Sequence, residues 1–238
     1  MSKNKMVTNM LSSRLATLSN YVKPGSVMAD IGTDHGYLPI YLVKSGICPK
    51  AIACDVRQMP LETARKNVLA NCLDKKIELR LGDGIQVLKP GEVQVVSIAG
   101  MGGSTIRQIL SDKPDVLAEL DRLILQPMGD EESLRQWLLT NGWRIIDEEL
   151  VLEDERLYTI IVSEQGAEPL PEPIVLEIGP RLMEKHHSLL PQLIARLQDK
   201  YRLMINGLAK SNRAETQAKL ALAKKRLQDL EEVATKCQ

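Results

Sequence analysis

The sequence predicts an α/β domain with a doubly wound, mostly parallel sheet, followed by an antiparallel helical hairpin. Three observations carry this expectation. Apolar strand-like runs alternate with helix-spaced runs from Val27 to Leu139, the pattern of a parallel sheet covered on both faces. Acids and glycine turns stand at the ends of four of those strands, where open sheets of this kind bind ligands. Near the C-terminus Leu220, Ala223, Leu227, Leu230 and Ala234 repeat at 3-4-3-4 spacing, a heptad seam.

The elements follow in order. Met6, Met10, Leu11, Leu15 and Leu18 share a helical face that Lys23-Pro24-Gly25 ends. The first strand, Val27–Ile31, runs into Gly32-Thr33-Asp34-His35-Gly36, with Thr33 or Asp34 as the expected cap of a helix over Gly36–Lys44. Ala51–Val56 is a second strand, Pro60–Ala70 a helix, and Ile77–Leu81 a third strand ending in Gly82-Asp83-Gly84. Val93–Ile98 leads into Ala99-Gly100-Met101-Gly102-Gly103 and a helix to about Leu110. A fifth strand, Arg122–Leu125, closes in Gln126-Pro127-Met128-Gly129. Asp130 is the expected cap of a helix through Leu139. Trp143–Leu152 and Arg156–Val162 flank Glu153-Asp154-Glu155 as a hairpin, making seven strands with an antiparallel end. Gly166–Pro173 reads as a linker. Leu190, Leu193, Leu197, Tyr201, Met204 and Leu208 then line one side of a helix that pairs with the heptad helix. The expected domains are 1–165 and 166–238.

Composition narrows the function. Apolar residues make up 44% of the 238, enough for a full core, and aromatics only 3%, too few for a base-stacking platform. Net charge is zero, but the segment from Ile174 onward holds 12 Lys+Arg against seven Asp+Glu. Arg181–Arg226 alone carries 11 basic residues and three acids, Glu184, Asp199 and Glu215. That asymmetry implies a division of labour. The four cysteines lack metal spacing, so no zinc site is expected. With no signal-peptide pattern and no apolar run of ~18 residues, the expected setting is a reducing cytoplasm.

The glycine turn after the first strand excludes one ligand class. In Gly32-Thr33-Asp34-His35-Gly36, Asp34 takes the place of the second glycine of a dinucleotide fingerprint and Tyr37 that of the third. An acid there repels a diphosphate. Asp55, 23 residues after Gly32, stands where a ribose-binding acid belongs. A nucleoside with a cationic tail and no phosphate fits this set, and S-adenosylmethionine is such a ligand. On that reading Asp55 with Val56 holds the ribose, and Gly82, Asp83 and Gly84 lie beside the adenine. Asp30, Gly32, Asp34 and Tyr37 line the methionine tail, and Ala99, Gly100, Met101 and Gly102 form the floor. His35 either orients a substrate or fixes its loop.

A family resemblance rests on specific runs. Leu11-Ser12-x-Arg14-Leu15, Ala29-Asp30-Ile31-Gly32-x-Asp34-His35-x-Tyr37-Leu38-Pro39, Ile98-Ala99-Gly100-Met101-Gly102-Gly103 and Leu125-Gln126-Pro127 resemble the bacterial tRNA (adenine-22 N1)-methyltransferases of the TrmK type. Leu134-Arg135-x-Trp137-Leu138 and Asn141-Gly142-Trp143 extend the likeness. The resemblance implies a class I methyltransferase fold (Rossmann-like), S-adenosyl-L-methionine as cofactor and a C-terminal coiled coil. The implied reaction is N1 methylation of an adenosine at position 22 of tRNA. Cys54-Asp55-Val56 stands where the family has Gly-Glu-Val, Gly82-Asp83-Gly84 where it has Gly-Asn-Gly, and Met128 where Asn often follows Gln-Pro.

Asp34 and His35 are the expected catalytic pair. Arg14, Gln126, Pro127, Lys210, Arg213, Lys224 and Arg226 are the expected substrate contacts, the last four through tRNA phosphates. A dimerisation or scaffold role for the hairpin stays open, as does the oligomeric state. So do methylation of another RNA site or a small molecule, and a non-catalytic RNA-binding role.

Overall fold

The computed structural model describes residues 11–209 and 213–236. Met6, Met10 and Lys210 lie outside them. The chain divides into two compact units, Met1–Leu170 and Pro171–Gln238.

In the first unit α1 (Ser13–Asn20) precedes β1 (Met28–Ile31), α2 (Tyr37–Lys44), β2 (Ala51–Asp55), α3 (Gln58–Ala70) and β3 (Ile77–Leu81). Then come β4 (Val95–Met101), α4 (Gly103–Ser111), α5 (Pro114–Leu117), β5 (Arg122–Pro127), α6 (Glu131–Thr140), β6 (Trp143–Glu153) and β7 (Arg156–Gln165). The sheet has seven strands in the order β3-β2-β1-β4-β5-β7-β6. The first five are mutually parallel, and β7 runs antiparallel to both β5 and β6. This is the Rossmann-like architecture of class I methyltransferases. β1 is buried on both faces, which is why it reads as an apolar run broken only by Asp30. Leu38, Leu42, Val68, Val95, Ile124 and Val162 are among the aliphatic side chains of the core. The β6–β7 turn places Asp154 and Glu155 at φ 48° and 62°, the left-handed pair of a two-residue hairpin turn.

Two expected caps are not formed. α2 starts at Tyr37 behind Gly36, whose φ is 73°, and no side chain caps it. Thr33 instead donates to Asp30 Oδ2 at 2.7 Å. Asp130 does stand at the N-cap of α6, but with φ 62° its carboxylate turns to Arg107 Nη2 at 2.9 Å.

The second unit holds α7 (Pro173–Ile178), α8 (Pro180–Glu184), α9 (Leu190–Leu208) and α10 (Ala214–Lys236). The two short helices stand where the sequence pattern gave only a linker and its sequel, since five or six residues are too few to show a period. α9 and α10 pack together. Leu220, Ala223 and Leu230 of the seam are buried. Met204 is not; it is 41% exposed, and burial along α9 stops at Tyr201.

One ion pair is fully enclosed. Arg135 Nε of α6 donates to Glu148 Oε1 of β6 at 2.6 Å, with the side chains 1% and 0% exposed. Removing one member takes a charge-assisted bond from the other inside the core. Glu148→Ala should therefore cost about 3–5 kcal/mol of unfolding free energy in urea, and Arg135→Leu made with Glu148→Ala should cost less than the two singles summed.

Candidate active site

At the carboxyl ends of β1, β2, β3 and β4 lies a cavity of about 750 Å3. β1 sits between β2 and β4, so the chain leaves those strand ends in opposite directions and the crevice opens at this switch point. Backbone bonds fix its loops. Gly32 and Thr33 both donate to Cys54 O, at 2.8 and 2.9 Å, and Gly82 donates to Asp55 O at 3.1 Å.

Asp30 ends up almost fully buried at the base of the cavity, 8% exposed. Burial is the main force on its carboxyl and pushes it up to about 6, against the opposing pull of the Thr33 hydroxyl and the Arg14 charge. Asp55 is 4% exposed. Its Oδ1 accepts from Arg57 N at 2.8 Å, which turns the carboxylate along the start of α3. Asp83 is exposed on the rim, and its side chain makes no cap to the 3-10 turn Gly84–Val87. Asp34, at φ 49°, is held outward, with its side chain 60% exposed. Asp34 Oδ2 lies 3.3 Å from His35 Nε2. His35 Nδ1 is buried with no hydrogen-bond partner, and the His35 ring lies 5.3 Å from that of Tyr37. Glycines set the shape. A Cβ on Gly32 would strike Met101 Cε, so Met101 folds over the β1 loop. Gly100, at φ 76°, opens onto free space.

The structure thus gathers Asp30, Gly32, Asp34, His35, Tyr37, Asp55, Val56, Gly82, Asp83, Gly84, Ala99, Gly100 and Met101 around one cavity, with Arg14 beside them. Gly102 stands off the wall as the N-cap of α4. Pro127 is buried, and Gln126 is 0% exposed with its amide spent on neighbours. Arg213 and Lys224 are exposed on the second unit. Arg226 is not a surface cation: its side chain is 12% exposed, and its Nη1 lies 3.8 Å from Glu177 Oε2. Tyr201 OH and Lys200 Nζ donate to the same carboxylate at 2.7 and 3.0 Å. A buried acid inside the helical unit collects the cations around it.

Sequence reasoning missed Glu153, Thr105 and Ile109, which also line the cavity. Thr105 and Ile109 share a helical face of α4 one turn apart, a signal that was readable. Glu153 left none, because only the folding of the β6–β7 hairpin brings its tip to the cavity.

The lining carries five carboxylates, Asp30, Asp34, Asp55, Asp83 and Glu153, against two arginines, Arg14 and Arg57. Such a field repels a diphosphate and suits a cation. The open space over Gly100 and the uncapped N-terminus of α2 leave room for a nucleoside with a charged amino-acid tail. Fold and site together define an S-adenosylmethionine-dependent methyltransferase.

Comparison with known proteins agrees. Residues 11–161 match the family model described as a methyltransferase domain. The tRNA (adenine(22)-N(1))-methyltransferase of Bacillus subtilis is 42% identical over 156 residues, 66% of either chain. The crystal structure of the B. subtilis M1A22 tRNA methyltransferase TrmK is 32% identical, with a TM-score of 0.88 over 94% of this chain and 98% of that one. Streptococcus pneumoniae Sp1610, solved in complex with S-adenosyl-L-methionine, is 33% identical, with a TM-score of 0.86 over 94% of this chain and 100% of that one. The chain belongs to the TrmK family of tRNA methyltransferases. Among the described residues no helix is long and apolar enough to cross a membrane, and no group of side chains could hold a metal ion.

Asp30 gives a pH test. Folding raises its carboxyl from the ordinary 3.8 to about 6. Its contribution to stability is therefore fully present below 3.8 and is lost as the pH rises through about 6. Ligand binding should run the other way. The affinity for S-adenosylhomocysteine in calorimetry should fall up to about tenfold per pH unit below the Asp30 pKa, and Asp30→Asn should flatten that limb.

Proposed function

We propose that this protein transfers the methyl group of S-adenosylmethionine to N1 of an adenosine in tRNA, position 22 being the target by family. The observation that carries the reading is the acid-lined cavity at the β1/β4 switch point, in a chain that follows TrmK structures along almost its whole length.

S-adenosylmethionine, when bound, supplies a methyl carbon already activated by its sulfonium. The protein therefore contributes position and charge rather than activation. Asp55 is the acceptor offered to a ribose diol, and Asp30 with the N-terminus of α2 receives the charged tail. Adenine N1 carries a free lone pair at pH 7 and needs no base. As N1 takes the methyl group the purine becomes cationic, and the Asp34 carboxylate, held outward by its left-handed backbone, stabilises that charge. His35 steadies Asp34 through its Nε2 contact. The adenosine must leave its stack for N1 to be reached. Exposed basic residues of the second unit, Arg213 and Lys224 among them, hold tRNA phosphates.

Incubation with unmodified tRNA and labelled donor should place the methyl group on one adenosine; labelling of a metabolite mixture and not of tRNA would overturn the reading. Asp34→Asn should lower turnover about 10–100-fold while leaving S-adenosylhomocysteine affinity within about threefold. Lys224→Ala should weaken tRNA binding across sequences and reduce the slope of log affinity against log salt by about one. Arg226→Ala should instead lower the thermal stability of the protein.

A further inference from the structure

β4 and β5 pair in register as far as Ala99 and Gln126, and again at Met101 and Pro127, with an irregularity between. Gly100 is the residue left without a strand partner. Its N–H is not orphaned: it donates to the side chain of Gln126, Oε1, at 3.2 Å. A side-chain amide thus substitutes for the missing rung of the ladder at the bulge that shapes the cavity floor. The amide is held from both sides. Its Nε2 donates to Pro127 O at 2.8 Å, and Oε1 also accepts from Arg14 Nη1 at 2.7 Å. Gln126 is fully buried, so no solvent replaces a lost partner.

Arg14 is itself fixed. Its backbone N–H donates to Glu153 Oε2 at 2.8 Å, and its guanidinium carbon lies 5.4 Å from the centre of the Tyr158 ring. Both partners belong to the β6–β7 hairpin. One side chain therefore ties α1, the hairpin and the bulge together, with three-quarters of its surface covered.

We infer that Arg14 is a positioning residue for the cofactor cavity, acting through Gln126 on the Gly100 bulge, rather than the substrate contact expected from its motif. The inference rests on the methyltransferase reading of the cavity. Wild-type protein failing to bind S-adenosylhomocysteine would sink that reading itself, whatever the variants do.

The test is calorimetry with S-adenosylhomocysteine on the full chain without RNA, together with steady-state methylation of tRNA. Arg14→Ala and Gln126→Ala should each weaken ligand binding about tenfold, the effect of removing one partner from a buried amide network. Arg14→Lys, which keeps the charge and loses the planar fork, should also weaken it, by at least threefold. The double variant should be no more than about twofold worse than Gln126→Ala alone, because both act on one bulge. The KM for tRNA should stay within twofold. Melting temperatures read alongside separate loss of fold from loss of position. If Arg14→Ala does not fold, Arg14→Lys decides the matter. Unchanged ligand affinity with a raised KM for tRNA and a shallower salt slope would overturn the inference, as would additive losses in the double variant.

Discussion

The site depends on the order of three strands. β1 is parallel to β2 on one side and to β4 on the other. Right-handed crossovers to opposite sides of one strand must pass over opposite faces of the sheet. The loops after β1 and β4 therefore diverge and cannot close over each other. The gap is a consequence of chain handedness, and side chains only decide what fills it. Here the β1 loop spends its backbone donors on Cys54 O, leaving its acids to face the gap. The β4 loop breaks its ladder at Gly100 to widen the floor. A substitution that moved β1 or β4 by one residue would invert which side chains reach the cavity.

Left-handed backbone redirects two acids at the loops after β1 and β5. Asp34 and Asp130 are among the non-glycine residues held at positive φ, and both carry carboxylates at loops after parallel strands. A short acid tolerates the left-handed region better than most residues. In each case that conformation takes the carboxylate away from the helix it was expected to cap. Asp34 is thereby committed to His35 and the cavity mouth, and Asp130 to Arg107.

The same fact explains what the sequence could and could not reveal. The alternation of strands and helices, the seven-stranded sheet with its antiparallel end and the cavity acids were legible, because apolar runs with acids at their ends report burial and strand termini directly. The heptad seam was legible because its period is long enough to count. The caps failed because a Thr or Asp before a helix is equally free to bond elsewhere, and nothing local tells the two outcomes apart. Arg226 failed for a tertiary reason: its neighbour Glu177 lies 49 residues away, and only folding shows that this cation faces inward. Arg14 and Gln126 were singled out from a motif, yet their bond spans 112 residues. A motif marks such residues without saying whether they touch substrate or hold the wall.

Electrostatics makes the two-unit plan intelligible. The cavity lining carries five carboxylates against two guanidinium groups, those of Arg14 and Arg57. The field of the cavity is therefore set by its acids. That sign suits a donor carrying a sulfonium and an ammonium, and it opposes a polyanion. An enzyme whose donor is a cation and whose acceptor is RNA faces contradictory demands on one surface. Adding lysines at the rim would raise RNA affinity and weaken donor binding together. A chain that keeps its excess cations in a different segment from its cavity acids avoids that conflict. The excess of five positive charges from Ile174 onward, against five negative charges before it, is the sequence-level trace of that separation.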